Sequence, residues 1–299
     1  MTPLALEALA QALACESGGG VGVLVTVRQV QGSAPREEGA WMAVLDNRVI
    51  NTLGGGHLEF SAIALARQCL KDDALDSPFS RRFALGPSLG QCCGGMVELG
   101  FERLEGPLDT GLVQRLRTRG TPVALFGGGH VGQALVRVLA TLPFDVRWVD
   151  SRDEIFPHEV PAHVQCEHSD PVQAAVSDLA PGSRVLIMSF SHAEDLDIVQ
   201  ACLKRQRLQG DLAFIGLIGS KTKWATFRHR LRERGFSDQE CDQVTCPIGV
   251  PGITGKEPEV IAVAVAAQLL QGLRLGPGVG ALPEAAVLDH PAPGEAARR

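Results

Sequence analysis

The stretch VALFGGGHVGQAL, residues 123–135, decides the fold. A short apolar run at 123–126 meets three glycines, and a helical pattern follows at once. Gly127, Gly129 and Gly132 supply the Gly-x-Gly-x-x-Gly spacing of a dinucleotide-type βα turn. The first glycine permits the tight turn, the second lets a phosphate approach the backbone, and the third lets helix and strand pack closely. His130 opens the helix beside amides that, with the helix dipole, favour an anion. The next apolar strand, DVRWVD, ends in Asp150, which stands 23 residues after Gly127. A carboxylate in that place accepts a ribose hydroxyl in dinucleotide-binding folds. The alternation continues in both directions along residues 121–274. Strands are expected at 123–126, 146–149, 163–166, 185–190 and 213–218, and helices at 131–142, 171–179, 193–205, 223–234 and 257–270. Such alternation builds an α/β, doubly wound parallel sheet. Ser237-Asp238-Gln239-Glu240 reads as a capping box opening one more short helix.

Upstream the pattern changes. Residues 1–106 read as a smaller α+β domain, with a short amphipathic helix at the start, strands at 21–30, 41–45, 48–52 and 96–104, and a helix over 57–70. Asp46-Asn47 marks a hairpin turn. A linker helix is expected within 107–120, and the Gly/Pro/Ala-rich residues 275–299 read as a disordered tail. Gly-Gly-Gly-His occurs at 54–57 and again at 127–130, which in a chain with 34 glycines reads as coincidence.

Composition narrows the function. The 299 residues are 45% apolar, enough for proper cores, and the net charge of −6 argues against a dedicated nucleic-acid binder. Aromatics at 5%, with no Tyr, disfavour a base-stacking platform. No run of 18 apolar residues is present, and the amino-terminal segment carries Glu7 and lacks a basic flank, so neither a membrane span nor a signal peptide is expected. The eight scattered cysteines point to a reducing, cytoplasmic compartment.

Two further features carry chemistry. FIGLIGSKTK, residues 214–223, is a second strand–glycine–helix turn, in which Gly219, Ser220 and Lys221 offer amides, a hydroxyl and an ammonium to an anion. The helix after it is basic (Lys223, Arg228, Arg230, Arg232, Arg234) and reads either as a solvated face or as a positive rim. Thiols stand in glycine-rich loops at LGQCCGG, residues 89–95, and TCPIGVPG, residues 245–252. Cys92, Cys93 and Cys246 are therefore candidate soft ligands or nucleophiles. A buried structural thiol is the competing reading for each of them. Cys15, Cys69, Cys166, Cys202 and Cys241 sit in ordinary patterns and read as structural. No nucleophile elbow, Walker lysine loop or His-Glu-x-x-His helix is present, and no catalytic acid or base stands out.

Six phrases in order carry a resemblance: GSAPREEGAWMAV at 32–44, LGGGHLE at 53–59, LGQCCGGMVEL at 89–99, VALFGGGHVGQAL at 123–135, FIGLIGSKTKWATFRHRL at 214–231 and CPIGVPGITGKEPEVIAVAVAAQLL at 246–270. Together they resemble the XdhC/CoxI family of xanthine dehydrogenase accessory proteins, over residues 20–272. The resemblance implies an N-terminal XdhC/CoxI domain and a C-terminal Rossmann domain. It implies a chaperone without turnover that binds molybdenum cofactor, Mo-molybdopterin, and shields it while a cysteine desulfurase supplies the terminal sulfido ligand. The cofactor is then delivered to the molybdenum subunit of xanthine dehydrogenase. A homodimer is expected. In that reading loops 127–132 and 219–221 take the anionic ligand. Cys92, Cys93 or Cys246 contact Mo, hold sulfur or stabilise the reduced centre. Asp150 binds a ribose, pterin nitrogens or nothing. Two alternatives stand beside it: an NAD(P)-dependent oxidoreductase on the same Rossmann unit, and an assembly scaffold with a vestigial pocket.

Overall fold

The computed structural model describes residues 3–14, 20–71, 78–85, 95–116 and 120–273. Two sheets organise them. The first is antiparallel with five strands, β1 (Val21–Gln31), β2 (Trp41–Leu45), β3 (Val49–Asn51), β4 (Phe79–Ala84) and β5 (Met96–Glu105), in the order β3-β2-β1-β5-β4. The β-branched run of β1 forms the middle strand because its residues are wanted on both faces. Val23, Val25 and Val27 meet α2 (Gly56–Lys71) through Leu58, Ala62 and Ala66, while Leu24 packs on the opposite face with Leu9 and Leu13 of α1 (Pro3–Ala14) and Leu112 and Leu116 of α3 (Thr110–Leu116). β4 carries little strand signal in its sequence: FSRRFA has only Phe79 and Phe83 on an apolar rhythm, and its arginines suit an exposed edge strand.

The second sheet is parallel with six strands: β6 (Thr121–Phe126), β7 (Phe144–Asp150), β8 (Gln165–His168), β9 (Arg184–Ile187), β10 (Phe214–Leu217) and β11 (Val244–Thr245). Their order, β11-β10-β9-β6-β7-β8, is that of a doubly wound sheet whose direction of winding reverses between β6 and β9. β6 is buried from both sides. Val123 and Leu125 face α4 (His130–Leu139) and α8 (Pro258–Leu273); Ala124 and Phe126 face α5 (His192–Gln209) and α6 (Lys221–Glu233). The α/β class with a parallel Rossmann-type sheet and a smaller N-terminal unit is thus the observed one.

Several boundaries moved for physical reasons. Residues 171–179 form a 3₁₀ helix, Val172–Asp178, closed by the Ala174 amide donating to Pro171 O at 3.0 Å. β8 starts two residues late because Val164 N donates to Pro161 O in a turn. β9 stops at Ile187, since residues 188–191 turn to cap α5. The capping box at Ser237 is present and opens α7 (Asp238–Cys241). The tail lies outside the described residues. α1 reaches across to the parallel unit, where Glu7 Oε1 accepts from His163 N at 3.0 Å and contacts His163 Nδ1 at 2.7 Å.

Candidate functional site

The site grows from the first glycine turn. Gly127 has φ of 126°, and a Cβ there would collide with Met188 O. Any side chain at Gly132 would run into Gly127 O, which also accepts from Trp148 Nε1 at 2.9 Å. First and third glycines therefore serve the close approach of β6, β9 and α4. Gly129 faces open space, and as the N-cap of α4 it brings no side chain to the helix amides. His130 is the first residue of α4 and is exposed. A helix N-terminus without a side-chain cap, at the reversal point of an open α/β sheet, is an anion-binding position.

Asp150 stands beside this turn, 2% exposed. Its Oδ2 accepts from Gly128 N at 2.6 Å and Arg152 Nη2 at 2.9 Å, and its Oδ1 from Arg152 N at 2.9 Å and Arg152 Nε at 2.8 Å. Burial raises the pKa of such a carboxyl, but these donors outweigh it and hold Asp150 below the usual carboxylate range. The acceptor positions that a ribose diol would use are filled by the protein itself. Arg152 in turn lies 4.7 Å from the ring centre of Phe190, which is 67% exposed on the turn after β9.

The first turn of α5, which follows β9, carries two acids that sequence reading passed over. Ser191-His192-Ala193-Glu194 has the spacing of a capping box, and Ser191 Oγ does accept from Glu194 N at 3.2 Å. The Glu194 side chain, however, turns to β7 and accepts from Ser151 Oγ at 2.6 Å through Oε1, leaving Oε2 buried with no partner. Asp195, 2% exposed, accepts from Ser189 N at 2.8 Å and Ser189 Oγ at 2.7 Å. Its other oxygen accepts from Lys223 Nζ at 2.6 Å.

Lys223 ties in the second turn. Nζ also donates to Ile218 O at 2.9 Å, and Ser220 caps α6 by accepting from Lys223 N at 3.1 Å. Lys221 is the first, exposed residue of that helix. Gly219 leaves room for the Lys223 stem, and Cys246 Sγ lies 3.5 Å from where a Gly219 Cβ would sit. Burial pushes the Cys246 thiol up to about 11 despite the nearby Lys223, so it is a neutral thiol at neutral pH. Much of the basic helix is ion-paired rather than open: Arg228 pairs with Asp238 and Asp242, Arg232 with Asp238 and Arg234 with Asp197.

The carboxyl edge of the parallel sheet thus brings together Gly127, Gly129, His130, Gly132, Asp150, Gly219, Ser220, Lys221 and Cys246. β9 is the single strand between β6 and β10, which places the two glycine turns about 10 Å apart at normal strand spacing. Cys92 and Cys93 lie outside the described residues, as does Cys15. Cys69, Cys202 and Cys241 are buried, whereas Cys166 is exposed on β8 rather than packed in a core. Among the described residues no cluster of three metal-ligating side chains is present. A cavity of about 270 Å³ lies at the opposite, amino edge, lined by Pro122, Asp145, His163, Asp178 and Ser183. Open α/β sheets bind at the carboxyl ends of their strands, so the glycine turns rather than this cavity mark the site.

The second glycine-rich string has a different geometry. Gly54, Gly55 and Gly56 all have positive φ and wrap their own Glu59, whose Oε2 accepts from Leu53 N at 2.7 Å and Gly55 N at 3.1 Å. In the 127–130 copy only Gly127 has positive φ, so the repeated string serves two unrelated turns.

Comparison with known proteins decides the family. The model of the XdhC Rossmann domain matches residues 123–269, and that of the XdhC and CoxI family matches residues 15–76. The chain belongs to the XdhC/CoxI family. The Rossmann-domain match covers both glycine turns, Asp150, Glu194 and Cys246. The chain is 28% identical over 253 residues to the uncharacterized protein YqeB of Escherichia coli. That alignment covers 83% of this chain but only 43% of YqeB, so the chain spans less than half of that relative. A crystal structure described as a xanthine dehydrogenase from Bacillus halodurans superposes with a TM-score of 0.66 at 21% identity, covering 92% of this chain and 96% of that one. At that identity the likeness concerns the XdhC/CoxI fold of both units. No helix among the described residues is long and apolar enough to cross a membrane.

Proposed function

We propose that this XdhC/CoxI protein is an accessory protein of molybdoenzyme assembly that binds molybdenum cofactor as cargo, protects it during sulfuration and passes it to the molybdenum subunit of xanthine dehydrogenase. Family membership supports the accessory role. The observation that carries the ligand class is the pair of glycine turns on one sheet edge. One opens on the uncapped N-terminus of α4, and the other holds Ser220 and Lys221 at the start of α6. Mo-molybdopterin is anionic: its pyran ring carries both a phosphate ester and the dithiolene that binds the oxo-metal, with the pterin ring on the other side. Two anion-favouring turns about 10 Å apart, at ordinary strand spacing, suit a ligand that carries two separate anionic groups.

The chain's own residues would hold this cargo without reacting it. The α4 amides take the phosphate, and the Asp195–Lys223 bridge keeps the second turn rigid. A neutral Cys246 offers sulfur beside that turn without a thiolate's reactivity. This reading has no catalytic acid or base and no turnover. It places the protein in the cytoplasm, with a cysteine desulfurase and a second copy of itself as further partners.

The test is anaerobic purification from a host that makes molybdenum cofactor, followed by oxidation of any bound pterin to its fluorescent derivative. The expected result is roughly stoichiometric pterin. A chain that carries none, with tight nicotinamide binding instead, would make it an NAD(P)-dependent oxidoreductase. Capture of the molybdoenzyme that is indifferent to pterin would make it a scaffold.

A further inference from the structure

Two carboxylates border the crevice between β6 and β9, and they are in opposite states. Asp150 accepts four hydrogen bonds from Gly128 and Arg152, which fill both of its oxygens. Glu194 accepts one, from Ser151 Oγ, while its Oε2 is shut away from water with nothing to bond. An unpaired buried carboxylate oxygen is costly, and the cost is recovered only when a donor reaches it. The two acids are linked in sequence and space, since Ser151 sits between Asp150 and Arg152 and donates across to Glu194. Beside them stands the exposed ring of Phe190, with the Arg152 guanidinium against it.

We propose that Glu194, rather than Asp150, is the carboxylate with which this crevice reads its ligand, and that it reads the adjacent N–H donors of a pterin-type ring. In an ordinary dinucleotide site the acid ending the second strand takes the ribose diol. Here Arg152 latches that acid shut. The unsatisfied acceptor has moved to the first turn of α5. A 2-amino-4-oxopyrimidine ring presents its N3–H and 2-amino group side by side, a donor pair that matches a carboxylate's two oxygens once the Glu194 side chain turns its buried Oε2 out into the crevice. Phe190 supplies a face on which such a ring can stack, with Arg152 completing a cation–aromatic pair. Adenine nucleotides are poorly served, because their ribose finds Asp150 occupied and their adenine edge has no such donor pair.

This deepens the proposed function and rests on its pterin cargo, but it is tested separately. The full-length chain is titrated with neopterin and with the matching 2,4-dioxo lumazine, in which the 2-amino donor becomes an acceptor, by ligand fluorescence. Losing one buried charged hydrogen bond corresponds to about tenfold in affinity, so neopterin should bind about tenfold more tightly than the lumazine. Glu194→Gln should bring that preference below about twofold, since an amide offers one donor and one acceptor in place of two acceptors. Ser151→Ala keeps the carboxylate and should keep the preference, and thermal melts of both variants report whether they fold. Equal binding of the two probes to the wild type, no binding of either, competition by NAD as strong as by neopterin, or a folded Glu194→Gln that retains the preference would each overturn the assignment. If pterin copurifies but the probes bind equally, Glu194 is misassigned and the carrier reading stands. If the Glu194-dependent preference appears but no cofactor copurifies, the pterin subsite stands and the carrier reading fails.

Discussion

Lys223 Nζ lies 2.6 Å from Asp195 Oδ2, and both side chains are almost wholly buried, at 12% and 3% exposure. The bridge joins the first turn of α5 to that of α6 and so sets the distance between the turns after β9 and β10. Taking both charges out of water is costly, and the pair persists because Ser189 and Ile218 O satisfy the remaining positions. Lys223→Met therefore strands Asp195 and should lower unfolding stability by about 3 kcal/mol in urea titrations. Combining it with Asp195→Asn should restore part of that loss. A change below about 1 kcal/mol, typical of exposed pairs, would mean that water reaches the bridge.

The glycine turn separates packing from binding. Gly132→Ala presses a methyl group onto Gly127 O and should cost about 2 kcal/mol, read as a lower denaturant midpoint. Gly129→Ala meets open space at φ −69° and should stay within about 0.5 kcal/mol of the wild type. It should nevertheless weaken phosphate-bearing ligands by crowding the α4 amides. A Gly129→Ala protein with undiminished ligand retention would move the anion site away from α4.

Asp150 makes stability depend on acid. Its folded carboxyl is depressed below the unfolded value of roughly 3.9. Its contribution is complete above that value and is lost as pH falls through the folded pKa. Asp150→Asn removes the titration, so the gap in melting temperature between the two proteins should narrow below about pH 4. A gap that stays constant down to the lowest soluble pH would contradict the shift.

The described cysteines should react in a set order. Cys166 is exposed, Cys246 is half-buried with its thiol pushed up to about 11, and Cys202 is buried at about 12. Iodoacetamide at neutral pH should label Cys166 first. Labelling of Cys246 should accelerate steadily as pH rises toward its pKa, because only the thiolate attacks. Peptide mapping by mass spectrometry gives the order. Rapid neutral labelling of Cys246 would identify it as an activated thiol.

Local pattern was enough for much of this protein. The run at 123–135, the apolar strands on either side and the second turn at 214–223 specify a doubly wound sheet, because period and turn chemistry are properties of neighbouring residues. The same holds for the capping box at Ser237 and the hairpin at Asp46-Asn47. Pairings between distant segments left no local mark. The edge strand β4, the order of the antiparallel sheet and the two-residue β11 all depend on which strand happens to lie alongside. Charges behave likewise. Asp150 reads in the sequence as an open acceptor, and nothing in the sequence singles out Glu194. Only the folded chain brings Arg152 onto the first and Ser151 onto the second, leaving Glu194 Oε2 buried without a partner. Sequence spacing sets where a side chain starts, but hydrogen-bond saturation depends on atoms that meet across the sheet edge, and that meeting is a property of tertiary structure alone.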